Sequence, residues 1–263
     1  MNGRTITSLS NDTVKAVRAL HMRKTRDETG LFVAEGLKTV LEGIDAGHAP
    51  RILMHGPLAA EHPMMRKALA ATAEAEGQVI EVTHDILAKV SRRENPQAVV
   101  GVFAQAFAPL AAVTPGPAKC VVALHRVRDP GNLGTIVRTA DAAGCGAVVL
   151  VGECCDPYSV EAVRATMGSI FAVPLVKASE PEFAAWRESW RGPVVGTLLS
   201  ADLDYREAAY AKPVLVLMGN EQQGLPPEIA SLCDVNVKIP MRGRADSLNL
   251  SVATGIMIYA ATS

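Results

Sequence analysis

Residues 214–226, VLVLMGNEQQGLP, carry five apolar side chains straight into glycine, a carboxylate and proline. A continuous apolar run of that length suits a strand buried on both faces, as in a parallel sheet covered by helices. Gly219, Asn220, Glu221 and Gly224 then form the turn, and Pro226 and Pro227 start a new helix. In open α/β sheets, ligands sit beyond the carboxyl ends of strands, where glycine lets a ligand approach the backbone. Glycine turns after strands are common, and Glu221 alone could merely cap the next helix.

The same alternation extends both ways. KCVVALH, AVVLVG, AVPLV, PVVGTLL and DVNVKIP read as strands, with helices expected over about 132–144, 159–167, 181–190 and from Ser247 onward. Upstream, Ser10 or Asn11 can cap a helix to about Lys24. LFVAEG turns into the helix LKTVLEGIDAG; RILMHG, HPMMRKALAATAEAEG and QVIEV repeat the pattern, and AVVGVFAQAF closes it as a strand. Between the halves, APLAAVTPGPAK (108–119) holds three prolines among small residues, which favours an extended linker. The expectation is an α/β chain of two domains, 1–107 and 120–263, joined by 108–119, with largely parallel sheets in both.

Two further segments stand out. In HRVRDPGNLGTIVRTADAAG (125–144), Leu133, Ile136, Val137 and Ala140 follow the helical i, i+3, i+4, i+7 rule, and Asn132 is expected as N-cap. Arg138 falls off that apolar stripe, where it could simply pair with Asp141. In KIPMRGRADSLNLSVATGIMIYA (238–260), a strand ends at Ile239 and Pro240. Ser247 is expected to cap a helix buried along Leu248, Val252, Ile256 and Tyr259. A cap does not explain why Asn249, a poor helix former, accompanies Ser247 and Ser251 there. Polar groups and free amides at a helix start suit an anionic or carboxylate-bearing ligand.

Composition narrows the classes. The 263 residues are 49% hydrophobic and carry 26 Lys+Arg against 27 Asp+Glu, which excludes a disordered or highly charged polymer. Residues 1–111 hold 13 basic and 12 acidic side chains, so neither half is basic as a whole. A polyanion partner would therefore need a local patch. No signal-peptide-like or bilayer-length apolar stretch occurs, which reads as cytoplasmic. Cys120, Cys145, Cys154, Cys155 and Cys233 show no CxxC spacing and read as reduced thiols. His48, His55 and His62 recur every seven residues, but prolines and a glycine interrupt that stretch, so surface histidines are expected and no metal. No GxGxxG follows the first strand of either half, and P-loop, GxSxG and HExxH motifs are lacking.

In this order and spacing, NLGTIVRTADAAG, LMGNEQQGLP and IPMRGRADSLNLSVATGI resemble the three motifs of the SpoU/TrmH family of RNA ribose 2′-O-methyltransferases in the SPOUT superfamily. The resemblance covers 120–260, and the first half is more loosely similar to the RNA-binding domain many members carry in front. It implies a C-terminal α/β domain tied in a trefoil knot and a homodimer that binds S-adenosylmethionine. Matched by position, Met218, Gly219, Ile239, Pro240, Met241 and Leu248 would hold the cofactor. Arg138, Asn132, Glu221, Ser247 and Asn249 match the family's catalytic and polar positions. Leu250 stands where valine is usual and keeps the apolar character.

Arg23, Lys24, Arg26, Arg92, Arg93, Arg242 and Arg244 are the expected RNA contacts, because such side chains grip phosphates without reading sequence. Aromatics at 4% make base stacking a lesser grip. Ribosomal RNA is expected over transfer RNA, on analogy with the front domain. A transfer-RNA methyltransferase, a non-catalytic RNA-binding assembly factor and a small-molecule enzyme using the same pocket remain the alternatives.

Overall fold

A computed structural model describes residues 4–114 and 120–263, so positions 115–119 of the expected linker lie outside the described residues. The chain forms two compact units, Met1–Gln105 with Tyr158–Ala172, and Ala106–Pro157 with Val173–Ser263.

The first unit contains β1 (Arg4–Ile6), α1 (Asp12–Ala19), α2 (Arg23–Thr29), β2 (Leu31–Glu35), α3 (Leu37–Asp45), β3 (Ile52–His55), α4 (Met65–Glu74), β4 (Gln78–Val82), α5 (His84–Ser91) and β5 (Val99–Ala104). Its sheet order is β1-β4-β3-β5-β2. The expectation of a largely parallel sheet fails here: β4 runs parallel to β1 and β3, but β5 is antiparallel to both β3 and β2. A continuous apolar run such as VVGVF reports burial on both faces and says nothing of direction. The single helix expected to Lys24 is also two helices. Asn11 caps α1 by accepting from Thr13 N at 2.9 Å, and the chain breaks after Ala19. At the break, the Leu20 carbonyl accepts from Arg26 Nη1 at 2.7 Å.

The second unit contains β6 (Cys120–His125), α6 (Pro130–Ala142) and β7 (Ala147–Val151). The chain then lends α7 (Val160–Thr166) to the first unit and returns as β8 (Leu175–Ala178), α8 (Glu180–Arg187), β9 (Val194–Thr197), β10 (Leu203–Asp204), β11 (Val214–Met218), α9 (Pro227–Ala230), β12 (Val235–Lys238) and α10 (Leu250–Thr262). All pairings in the sheet β10-β12-β9-β11-β6-β7-β8 are parallel. Strand β11 sits between β9 and β6, with Met218 opposite Leu124, so the loops after β6 and β11 emerge side by side.

The excursion 158–172 was expected within the second domain. Its allegiance is set by packing: Tyr158 lies 4.6 Å from Phe32 between ring centroids, and Phe171 lies 4.7 Å from Phe103. Arg164 forks onto Glu35, Nη2 to Oε1 at 2.7 Å and Nε to Oε2 at 3.2 Å. His55, expected at the surface, is buried, with its Nδ1 3.0 Å from the Gly56 carbonyl. The five cysteines are free, and among the described residues no group of three potential ligands could hold a metal. No helix among them is long and apolar enough to cross a membrane.

Candidate active site

Helix α6 begins earlier than expected. Asp129, not Asn132, is its N-cap: Asp129 Oδ1 accepts from Asn132 N at 2.6 Å, and Pro130 occupies the first turn, where its missing N–H costs nothing. With its backbone N–H engaged this way, Asn132 is free to point its side-chain amide elsewhere. Helix α10 likewise starts at Leu250 with Asn249, not Ser247, as cap. Asn249 Oδ1 accepts from Ser251 N at 2.8 Å, Ser251 Oγ at 2.7 Å and Val252 N at 3.4 Å.

These caps orient a chain of side chains through all three motifs. Because the Asn249 oxygen faces the helix amides, its Nδ2 is turned outward and donates to Asn132 Oδ1 at 2.9 Å. That fixes Asn132 in turn, and its Nδ2 donates to Glu221 Oε1 at 3.1 Å. The Glu221 carboxylate also accepts from the backbone N–H groups of Arg128 at 3.1 Å and Asp129 at 3.2 Å. Partial burial raises the Glu221 pKa, but the hydrogen bonds from Asn132 and the backbone outweigh it and hold the carboxyl below its ordinary value. So charged and so occupied, Glu221 is a poor proton acceptor and a good anchor for the loop after β6.

The loop after β11 explains its glycines. Asn220 and Gly224 exchange backbone hydrogen bonds at 3.3 and 3.1 Å, and Asn220 Oδ1 accepts from Gln222 N and Gln223 N at 2.9 and 2.7 Å. A Cβ on Gly219 would lie 2.0 Å from the Gly224 carbonyl carbon, so only glycine closes this loop, and Gly224 itself takes a left-handed φ of 66°.

Between this loop, the chain after β12 and the start of α10 lies a cavity of about 610 Å³, a size ordinary for small-molecule sites. Met218, Gly219, Ile239, Met241 and Leu248 line it, and Asn132, Glu221, Ser247 and Asn249 form its polar side. Pro240 does not line it. Sequence reading missed the wall from Thr197 to Ser200, where Thr197 Oγ1 approaches Met218 Sδ at 3.3 Å. The signal was available in part: Thr197 to Ser200 stand at the end of the strand-like run PVVGTLL, although only the structure shows that this strand, β9, lies beside β11.

Arg138 does not join the cavity. Six residues beyond Asn132, it stands about 9 Å further along α6 and roughly 240° round the axis. It is exposed, and no hydrogen bond or ion pair among the described residues restrains its guanidinium. The expected buried stripe of α10 is also wrong. Leu250, Thr254, Met257, Ile258 and Ala261 are buried, whereas Val252 and Tyr259 are 51% and 54% exposed. A helix apolar nearly all round gives no amphipathic signal to choose its face.

Of the expected RNA contacts, Arg26 is overturned: it is 4% exposed and spends its guanidinium on the Leu20 carbonyl. Arg23 and Lys24 are exposed but lie 3.6 and 3.8 Å from Asp27 and Glu28. Arg92, Arg93, Arg242 and Arg244 are exposed.

Residues 119–259 match the model of the SpoU rRNA Methylase family, and residues 11–101 match an MRM3-like substrate binding domain. A 23S rRNA (guanosine(2553)-2′-O)-methyltransferase of Bacillus subtilis is 31% identical over 97% of each chain. The crystal structure of an AdoMet-bound rRNA methyltransferase from Sinorhizobium meliloti is 48% identical, with a TM-score of 0.93 over 98% of this chain and 97% of the other. The AdoMet complex of AviRb from Streptomyces viridochromogenes is 29% identical, with a TM-score of 0.86 over 96% and 97%.

Proposed function

Because the chain belongs to the SpoU rRNA methylase family, we propose that it transfers the methyl group of S-adenosylmethionine to a ribose 2′-hydroxyl of ribosomal RNA. The observation that carries this reading is the oriented chain Asn249–Asn132–Glu221 in the wall of the cavity. The residues suit the cofactor: Met218, Ile239, Met241 and Leu248 offer apolar surface for an adenine, and the closed glycine loop brings backbone groups to the cavity edge. When bound, it supplies a methyl carbon on a positively charged sulfur.

The rest falls to the protein. A ribose hydroxyl must be held in line with that carbon, and such positioning is worth several kcal/mol of the barrier, up to about 7–11. Asn249 and Ser247 border the place where the hydroxyl is held, and Glu221 keeps the neighbouring loop still. Arg138 stabilises the oxygen as its proton passes to solvent water; a guanidinium, which holds its own proton tightly, serves better as a donor and counter-charge than as a base.

Arg138 is turned away from its own chain's cavity, so we assign it to the cavity of a second copy. The exposed Val252 and Tyr259 on α10, which packs against α6, favour a homodimer that covers this apolar face. The trefoil knot is part of the same reading, as are substrate capture by residues 1–107, the link at 108–119, catalysis by 120–263 and a cytoplasmic site of action. The test is ribose-methylation mapping of cellular RNA with and without the gene, paired with transfer of labelled methyl from S-adenosylmethionine to rRNA in vitro. An unchanged map and no transfer to rRNA would overturn it.

A further inference from the structure

Helix α1 packs against α5 in the first unit, and between them opens a groove of about 670 Å³. Its charged lining is Lys15, Arg18, Lys89, Arg92 and Arg93, with Glu94 as the one carboxylate. A helix C-terminus accounts for some of these cations: Lys89 lies in the last turn of α5, and Arg92, with φ 54°, is its cap. Arg18 likewise lies in the last turn of α1, but no helix end accounts for Lys15, near the start of α1, or for Arg93, beyond the cap of α5.

Nor does the nearest buried carboxylate to Arg93 cancel the charge. Glu35, with 3% of its side chain exposed, is held first by the Arg164 fork. Arg93 approaches the same carboxylate only to 3.9 Å and is 43% exposed. Lys15 shares its charge with the exposed Asp12 at 3.3 Å. The groove has no aromatic side chain on which a base could stack.

We propose that this groove binds the sugar-phosphate backbone of the RNA substrate, gripping successive phosphates by charge and without reading bases. The proposal rests on the RNA methyltransferase reading above and gives it a place on the first unit. In a chain with a formal net charge of −1, five cations against one carboxylate mark out where a polyanion would be retained. The lack of a stacking platform favours shape and phosphate recognition of a helical RNA element over capture of a loose single strand.

The test is fluorescence-anisotropy binding of a helical rRNA fragment by the full chain, across a salt series and without S-adenosylmethionine. Arg18→Ala with Lys89→Ala should raise Kd roughly tenfold near 0.1 M salt and flatten the slope of log K against log salt by about 1.5 to 2. The charge-keeping pair Arg18→Lys with Lys89→Arg should stay near wild type, and neither pair should move the thermal midpoint, since both side chains are exposed. An alanine pair with wild-type affinity and slope overturns the proposal; that is also the result if the groove receives an acidic protein segment. Wild-type chain that binds RNA through the groove but transfers no methyl group would sink the enzymatic reading and leave the groove standing. Methyl transfer with an indifferent groove would do the reverse.

Discussion

The cavity of the second unit and the groove of the first treat polar side chains in opposite ways. In the cavity wall, Asn249, Asn132 and Glu221 are each bound to the next, and their direction is dictated by a helix end. In the groove, Arg18, Lys89 and Arg92 are exposed, and no side-chain hydrogen bond or ion pair among the described residues fixes their direction. Fixed geometry suits a reaction that tolerates little misplacement; loose charge suits retention of a large substrate in many trial positions. Damage to the first region should therefore appear in turnover and cofactor affinity, and damage to the second in RNA affinity and its salt dependence.

The largest expected effect comes from Arg138, which stands outside both regions in its own chain. Arg138→Ala should cut kcat at least about 100-fold while S-adenosylmethionine binding, measured by calorimetry, stays near wild type. Mixing it with an equally inactive Asn132→Ala chain separates the two possible arrangements. If Arg138 serves a second copy, half the dimers in an equal mixture carry one intact site and about a quarter of wild-type activity returns. No recovery on mixing would put Arg138 back at its own cavity.

Next is the glycine loop. Gly219→Ala places a methyl group 2.0 Å from backbone, so the loop must open. Cofactor affinity should fall about 100-fold, with a thermal midpoint lower by about 5 °C. Gly243→Ala, in the chain after β12, meets nothing within 4 Å and should change neither. Equal effects from the two would show that the cavity does not depend on the loop being closed.

Glu221→Gln turns one acceptor into a donor facing Asn132 Nδ2 or a backbone N–H, and kcat should fall about tenfold through loss of position. The pH dependence has a definite sign. The folded-state pKa of Glu221 lies below its ordinary 4.5, so its contribution to stability is fully present above that value. It is lost as pH falls through the lower folded-state pKa. The stability gap between wild type and Glu221→Gln should stay constant above pH 4.5 and close as pH falls below it; a gap that does not change with pH would mean that Glu221 anchors nothing.

What was legible in the sequence follows from range. Each motif could be placed at a strand's carboxyl end because a strand, a glycine turn and a helix start are local patterns. The links between motifs were not legible, since Asn132 meets Glu221 and Asn249 across 89 and 117 residues. Caps were misplaced by two or three residues because Asp129 and Asn249 compete with near neighbours of equal propensity. The allegiance of 158–172 depends on which sheet offers aromatic partners, and helical periodicity is silent on that.

The smallest expected effect tests whether charge alone or charge without a partner makes an RNA contact. Arg23 and Lys24 carry the same formal charge as Arg18 and Lys89, and the sequence places them among the expected RNA contacts. On α2, however, each sits one turn before a carboxylate, Asp27 and Glu28. Exposed pairs of this kind are weak, about 0.3–0.5 kcal/mol, so RNA could still recruit the cations, but the carboxylates would then face the phosphates. Arg23→Ala with Lys24→Ala should therefore raise Kd for the rRNA fragment by less than about threefold and flatten the salt slope by less than about 1. A loss matching that of the groove pair would mean that the first unit grips RNA over a broad basic face, with the groove only one part of it.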